Sequence, residues 1–225
     1  MIKKHVKKLL RRVSPAFDRR VRRFEEAYAE YAEKKLKLRT DEELDRQGQG
    51  LKEIRDILNE LSITYYLSGG TLLGAIREGD FIRWDWDVAI YLKTEDVLPK
   101  LSRLILQLRD NGFEIKSCNS KKTQLKINAL KYGARYELIG FFKLGNMRYR
   151  GGSRYGGSRY PAELFGEGTE TTLRGETYRT FNKPEIYLEW KYSDWRTPIR
   201  TCDKKVYKSR KARPPFMMKW LFRLF

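Results

Sequence analysis

The sequence predicts an α/β (α+β) fold, a mixed β-sheet flanked by helices, with a basic amphipathic segment at each end. Three observations lead there. Apolar residues recur at helical spacing over 44–61. Short apolar and β-branched runs then alternate with turn residues from 63 to 142. The formal charge of +19 is concentrated at the termini. At 225 residues, with 14 Tyr, 11 Phe and 5 Trp, the chain can build one well-filled core.

Residues 16–38 have helical composition. Thr40-Asp41-Glu42-Glu43 has the form of a capping box ahead of Leu44, Leu51, Ile54, Ile57, Leu58 and Leu61. Gly48 and Gly50 are expected to break that helix in two. Residues 63–67 read as the first core strand and 86–92 as its partner, with a short helix over 71–77 between them. A helix over 95–109 ends at Asn111-Gly112. Residues 113–118, 123–130 and 135–142 read as strands. Residues 151–160, Gly-Gly-Ser-Arg-Tyr twice over, read as a loop. A strand over 177–181 and a helix over 185–192, begun by Pro184, complete the order.

Chemistry concentrates between residues 65 and 92. An apolar run reaches Gly69-Gly70, and Thr71 opens the helix that carries Arg77. A turn at Glu78-Gly79-Asp80 leads into Asp85 and Asp87. On an extended strand those two carboxylates share a face, about 7 Å apart. Such a pair can hold a hard divalent cation, Mg²⁺ or Mn²⁺, together with phosphate oxygens. The glycines let backbone N–H groups approach a phosphate at a helix N-terminus. Taken alone, Gly69 and Gly70 could simply end a strand, Thr71 could be only a cap, and Arg77 only a solvated charge. Trp86 is expected to fill the core, and Trp84 and Trp195 to pack structurally. The only histidine is His5, in the basic N-terminal segment, so histidine metal sites and Ser-His or Cys-His catalysis are set aside. Cys118 and Cys202 lack metal-ligand spacing and read as reduced thiols.

Gly70-Thr71-Leu72-Leu73-Gly74-Ala75-Ile76-Arg77, followed by Phe81-Ile82-Arg83-Trp84-Asp85-Trp86-Asp87-Val88, resembles the core signature of the LicD/fukutin family. These are phosphotransferases of the nucleotidyltransferase superfamily. About a hundred residues on, Asn182-Lys183-Pro184, Tyr187-Leu188, Tyr192, Asp194-Trp195 and Pro198 resemble its C-terminal signature. The resemblance implies a nucleotidyltransferase-like sheet and transfer of a phospho-alcohol from a CDP-activated donor to a glycan acceptor, which could be lipid-linked. It assigns Asp85 and Asp87 to the metal and to catalysis. Gly69, Gly70, Thr71 and Arg77 are the expected substrate contacts, joined by Arg154 and Arg159 as phosphate clamps, with Tyr155 and Tyr160 able to stack on a base or sugar. One position departs from the family pattern. Its third acid is replaced by Ala89. Glu137 on another strand is the candidate substitute; otherwise Ala89 marks an introduced inactivating change or a member with weakened chemistry.

The charge divides the chain into a basic N-terminal helical segment (1–39), a catalytic domain (40–200) and a basic amphipathic tail (201–225). Residues 1–24 carry +9 and 204–225 carry +8, leaving +2 between them. Basic residues beside Trp, Phe and Leu suit an anionic membrane surface. A peripheral place on the cytoplasmic face is therefore expected. A nucleic-acid partner is disfavoured, because the charge forms no platform on the central sheet.

Overall fold

The computed structural model describes residues 33, 36–151, 157–201 and 203–215. Residues 1–24, 216–225, Arg154 and Tyr155 therefore lie outside the described residues.

Helix α1 (Asp41–Glu60) starts at Thr40, whose hydroxyl accepts from Glu43 N–H while the Glu43 carboxylate accepts from Thr40 N–H. The expected break does not occur. Gly48 and Gly50 lie inside one continuous helix, because Gly50 leaves room for the Tyr136 ring. A Cβ on Gly50 would come within 2.2 Å of that hydroxyl, which donates to the Gln47 carbonyl. Close packing here offsets the low helix propensity of glycine.

Strand β1 (Tyr65–Ser68) passes without a loop into α2 (Gly69–Glu78). Then come β2 (Asp87–Lys93), α3 (Thr94–Val97), a 3₁₀ turn at Leu98–Lys100 containing Pro99, and α4 (Leu101–Asp110). The expected single helix over 95–109 is thus divided at its proline, which removes a helical donor. Strands β3 (Glu114–Asn119), β4 (Lys126–Lys131), β5 (Ala134–Leu144), β6 (Met147–Arg150) and β7 (Ser158–Pro161) complete a seven-stranded mixed sheet. Its order is β1-β2-β5-β4-β3, with β6 and β7 added beyond the end of β5. Among the described strands of this sheet, only the β2–β5 pairing is parallel. A separate hairpin, β8 (Thr169–Leu173) with β9 (Glu176–Thr180), precedes α5 (Pro184–Lys191) and the short α6 (Lys204–Tyr207).

The sheet separates two kinds of packing. One face carries Val88, Ile90, Leu92, Tyr136 and Leu138, all of them buried, with the Tyr136 hydroxyl bonded to α1 at Gln47. The other carries Tyr66, Tyr91 and Phe141, joined by Tyr160, Phe165, Phe181 and Tyr187 in an aromatic cluster with ring centroids 4.1–6.2 Å apart. Tyr160 is 1% exposed, so it is a core residue and not a stacking platform. Its burial also explains why the second copy of the pentad forms part of β7 where a loop was expected.

The backbone of residues 203–215 lies against the domain. Ser209 N–H donates to Lys191 C=O, Tyr192 bridges Lys208, and Arg159 N–H donates to Ala212 C=O. No helix among the described residues is long and apolar enough to cross a membrane.

Candidate active site

Gly69 has φ +61°, in the left-handed region that glycine enters without strain. The chain can therefore leave Ser68 at the end of β1 and begin α2 at the next residue. The Gly69 N–H donates to the Tyr187 hydroxyl of α5 at 3.0 Å. Thr71 is buried, and its Oγ1 accepts from Ala89 N–H at 3.0 Å, which pins the helix to β2. Its role is first to hold the two halves of the motif in register.

Asp85 lies two residues before β2, so it is not itself in a strand as expected, yet it still converges with Asp87. Gly70 makes this possible: a Cβ there would sit 1.6 Å from Asp85 Oδ2. The carboxylate consequently rests against the first turn of α2, the positive end of the helix dipole. Asp87 N–H donates to Asp85 Oδ1 at 3.4 Å. Burial, with the Asp87 charge adding to it, pushes the Asp85 carboxyl up to about 6. Burial and the neighbouring Asp87 charge both disfavour an anionic Asp85, a cost that a cation bound beside it would offset.

Around the pair is a cleft of about 230 Å³. Gly70, Arg77, Trp84, Asp85 and Asp87 line it together with Tyr192, Asp194, Thr197 and Tyr207. The two distant motifs thus share one cavity. Arg77 reaches it while bonded to Glu78. The Asp194 carboxylate accepts from the N–H groups of Thr197 and Arg196, and hydrogen bonding from the Thr197 side chain and then its backbone, with a smaller part from Arg196, lowers its pKa.

Glu137 is the cross-strand partner of Ala89 and shares its sheet face. Its carboxylate is engaged by Lys126 at 2.7 Å. Among the described residues no three His, Cys, Asp or Glu side chains are arranged to hold a metal. Asp87 is also met by Arg135, at 3.6 Å. The donor set that fits a divalent cation is the Asp85–Asp87 pair, the two-carboxylate type that Mg²⁺ completes with phosphate oxygens and water. Arg159 lies in β7 with its Nε buried and without a hydrogen-bond partner among the described residues; it does not line the cleft.

Three further placements were not expected. Trp86 is half-buried and outside the core; its indole N–H donates to the Lys37 carbonyl. The Arg39 guanidinium stacks 4.5 Å over that ring, 3% exposed and with no hydrogen-bond partner among the described residues. Burial lowers its pKa, and its charge faces Asp85. Asp194 was legible as part of a motif, but nothing in the sequence showed that it faces the cleft.

Residues 62–142 match the family model described as LicD/FKTN/FKRP, nucleotidyltransferase domain. Over that stretch, just over a third of the chain, the sequence is similar to the nucleotidyltransferase domain of that family. Ribitol 5-phosphate transferase FKRP, from Homo sapiens and from Mus musculus, is 49% identical over 41 residues, 18% of this chain and 8% of that protein. An uncharacterized Caenorhabditis elegans protein is 34% identical over 68 residues, 30% of this chain and 18% of its own length. The matched stretches therefore span less than a fifth of these relatives. Among solved structures, the lincosamide antibiotic adenylyltransferase LnuA has a TM-score of 0.44 at 17% identity, covering 68% of this chain and 87% of that one. The antibiotic-resistance factor ANT(2'')-Ia has a TM-score of 0.44 at 13% identity, covering 65% and 71%. The matched segment holds the glycine turn, both aspartates and Glu137; Tyr187, Tyr192 and Asp194 lie beyond it.

Proposed function

We propose that this LicD-type domain is a metal-dependent phosphotransferase. It moves a phospho-alcohol of the ribitol-phosphate, glycerol-phosphate or phosphocholine type from a CDP-activated donor to a glycan hydroxyl. The observation that carries the reading is one cleft lined by both motifs, with the Asp85–Asp87 pair against the glycine turn. The family match and the name of the ribitol 5-phosphate transferase support it.

Asp85 and Asp87 would hold Mg²⁺ or Mn²⁺, which when bound neutralises charge on the donor diphosphate. The N-terminus of α2 and Arg77 meet the same anionic group from the protein side. The acceptor oxygen forms a bond to the alcohol-bearing phosphorus while the bond from that phosphorus to the bridging oxygen breaks. CMP departs with the electron pair, and the hydroxyl proton passes to a carboxylate of the cleft. Orientation and charge supply most of the rate in such a step. Residues 1–24 and 204–225 would rest the domain on an anionic cytoplasmic membrane face, beside lipid-linked acceptors.

The test is CMP release from CDP-ribitol, CDP-glycerol, CDP-choline and CDP-ethanolamine, with Mg²⁺ or Mn²⁺ and lipid-linked or free glycan acceptors. Metal-dependent CMP release that drops at least about 100-fold in Asp87→Asn is the expected result. Pyrophosphate release from a nucleoside triphosphate would instead mark a nucleotidyltransferase. Nucleotide binding without turnover would mark a member silenced at Ala89.

A further inference from the structure

Lys191, the last residue of α5, occupies an unusual position for a cation. Its ammonium donates to the Tyr91 hydroxyl at 2.9 Å and lies over the rings of Tyr91 and Tyr187, at 5.1 and 5.9 Å. It is half-buried, yet among the described residues it forms no ion pair with a carboxylate. An ammonium has three N–H donors, and the described residues take one.

The glycine turn lies directly beside it. A Cβ on Gly69 would be 3.4 Å from Lys191 Nζ and 3.1 Å from the Ala89 methyl, so both flank the same turn residue. Next to them Ser68 Oγ is 0% exposed, makes no cap bond and has no hydrogen-bond partner among the described residues. Ser68, Ala89 and Glu137 are successive cross-strand neighbours on one sheet face. Lys191 also lies near enough to Asp85 to pull that carboxyl's pKa down against burial. A half-buried cation beside an unpartnered hydroxyl and a helix N-terminus is a site in want of an anion.

We infer that Lys191 binds the phosphate groups of the donor over the Gly69-Gly70 turn, with Ala89 leaving the space that the ammonium needs. The name of that donor rests on the phosphotransferase reading; the anion site does not. A carboxylate at position 89 would stand beside the ammonium and neutralise it, so Ala89→Asp is expected to weaken anion binding.

The test is isothermal titration of the full chain with CDP, inorganic pyrophosphate and cytidine, each with Mg²⁺, against wild type, Lys191→Met, Lys191→Arg and Ala89→Asp. Lys191→Met should weaken both phosphate ligands about 10- to 100-fold, as expected for a lost charge-assisted hydrogen bond. Lys191→Arg should keep affinity within a few-fold, and cytidine should bind equally to all four proteins. Equal CDP and pyrophosphate affinity in Lys191→Met overturns the inference, as does a matching loss of cytidine, which would mark a packing role. If wild type binds pyrophosphate but not CDP, and Lys191→Met loses it, the anion site stands and the CDP donor falls. If wild type binds neither phosphate ligand, the inference is overturned.

Discussion

One sheet face of this domain is divided into two unlike halves, and β2 runs through both. Around Tyr91 the face is closed by stacked aromatics, with Phe181 and Tyr187 centroids 4.1 Å apart and nearly parallel. Two and four residues earlier, at Ala89 and Asp87, the same face opens into the cleft region and carries charge. The aromatic half is satisfied internally, each ring filling space left by another. The charged half holds two neighbouring carboxylates and, among the described residues, an ammonium with no carboxylate partner and a buried hydroxyl with no hydrogen-bond partner. Groups that do not satisfy each other point to a ligand, whereas groups that do belong to the scaffold.

Substitutions should separate the halves. The largest stability effect belongs to Phe181→Ala, which empties the centre of the aromatic cluster. A loss of about 3–5 kcal/mol in urea unfolding is expected. Gly70→Ala comes next: its methyl would meet Asp85 Oδ2, and the carboxylate must shift. We expect about 1–3 kcal/mol of destabilisation together with loss of Mg²⁺-dependent nucleotide binding, read by thermal shift with and without metal. Tyr187→Phe removes only the hydroxyl that accepts from Gly69 N–H. The ring packing survives, and about 1–2 kcal/mol should be lost. Asp87→Asn should have the smallest effect on folding. Relief of repulsion on Asp85 offsets the loss of the Arg135 contact, so stability should stay within about 0.5 kcal/mol or rise slightly. A large loss of stability in Asp87→Asn would mean that the charged half is scaffold after all.

The glycine turn and the two aspartates were legible because each lies in a short local pattern whose geometry a strand or helix dictates. The mixed sheet and most of its strands were legible for the same reason. Other features depend on partners far away in sequence. The continuity of α1 through Gly50 is decided by Tyr136, and the strand at Ser158–Pro161 by the ring box around Tyr160. Glu137 could be named as an acid near position 89, but its pairing with Lys126 depends on β4 registering against β5. Lys191 gave no signal: in sequence it is one lysine of 48 basic residues, and its cage is built from Tyr91 and Tyr187. Trp86 was misjudged because the turn before β2 is irregular, which breaks the alternation that would have sent it inward.

The hydrogen bond from Gly69 N–H to Tyr187 spans 118 residues, so its two partners are made at well-separated times during synthesis. Residues 65–93 can close their own hairpin with little loop entropy to overcome, bringing both aspartates to the glycine turn early. The first N–H of that turn gains its partner only when α5 docks, and the same event delivers Lys191, Tyr192 and Asp194. During synthesis the acid pair is therefore translated well before the residues of the wall that completes the cleft. A chain interrupted between residues 93 and 187 would carry a legible motif with half a site behind it.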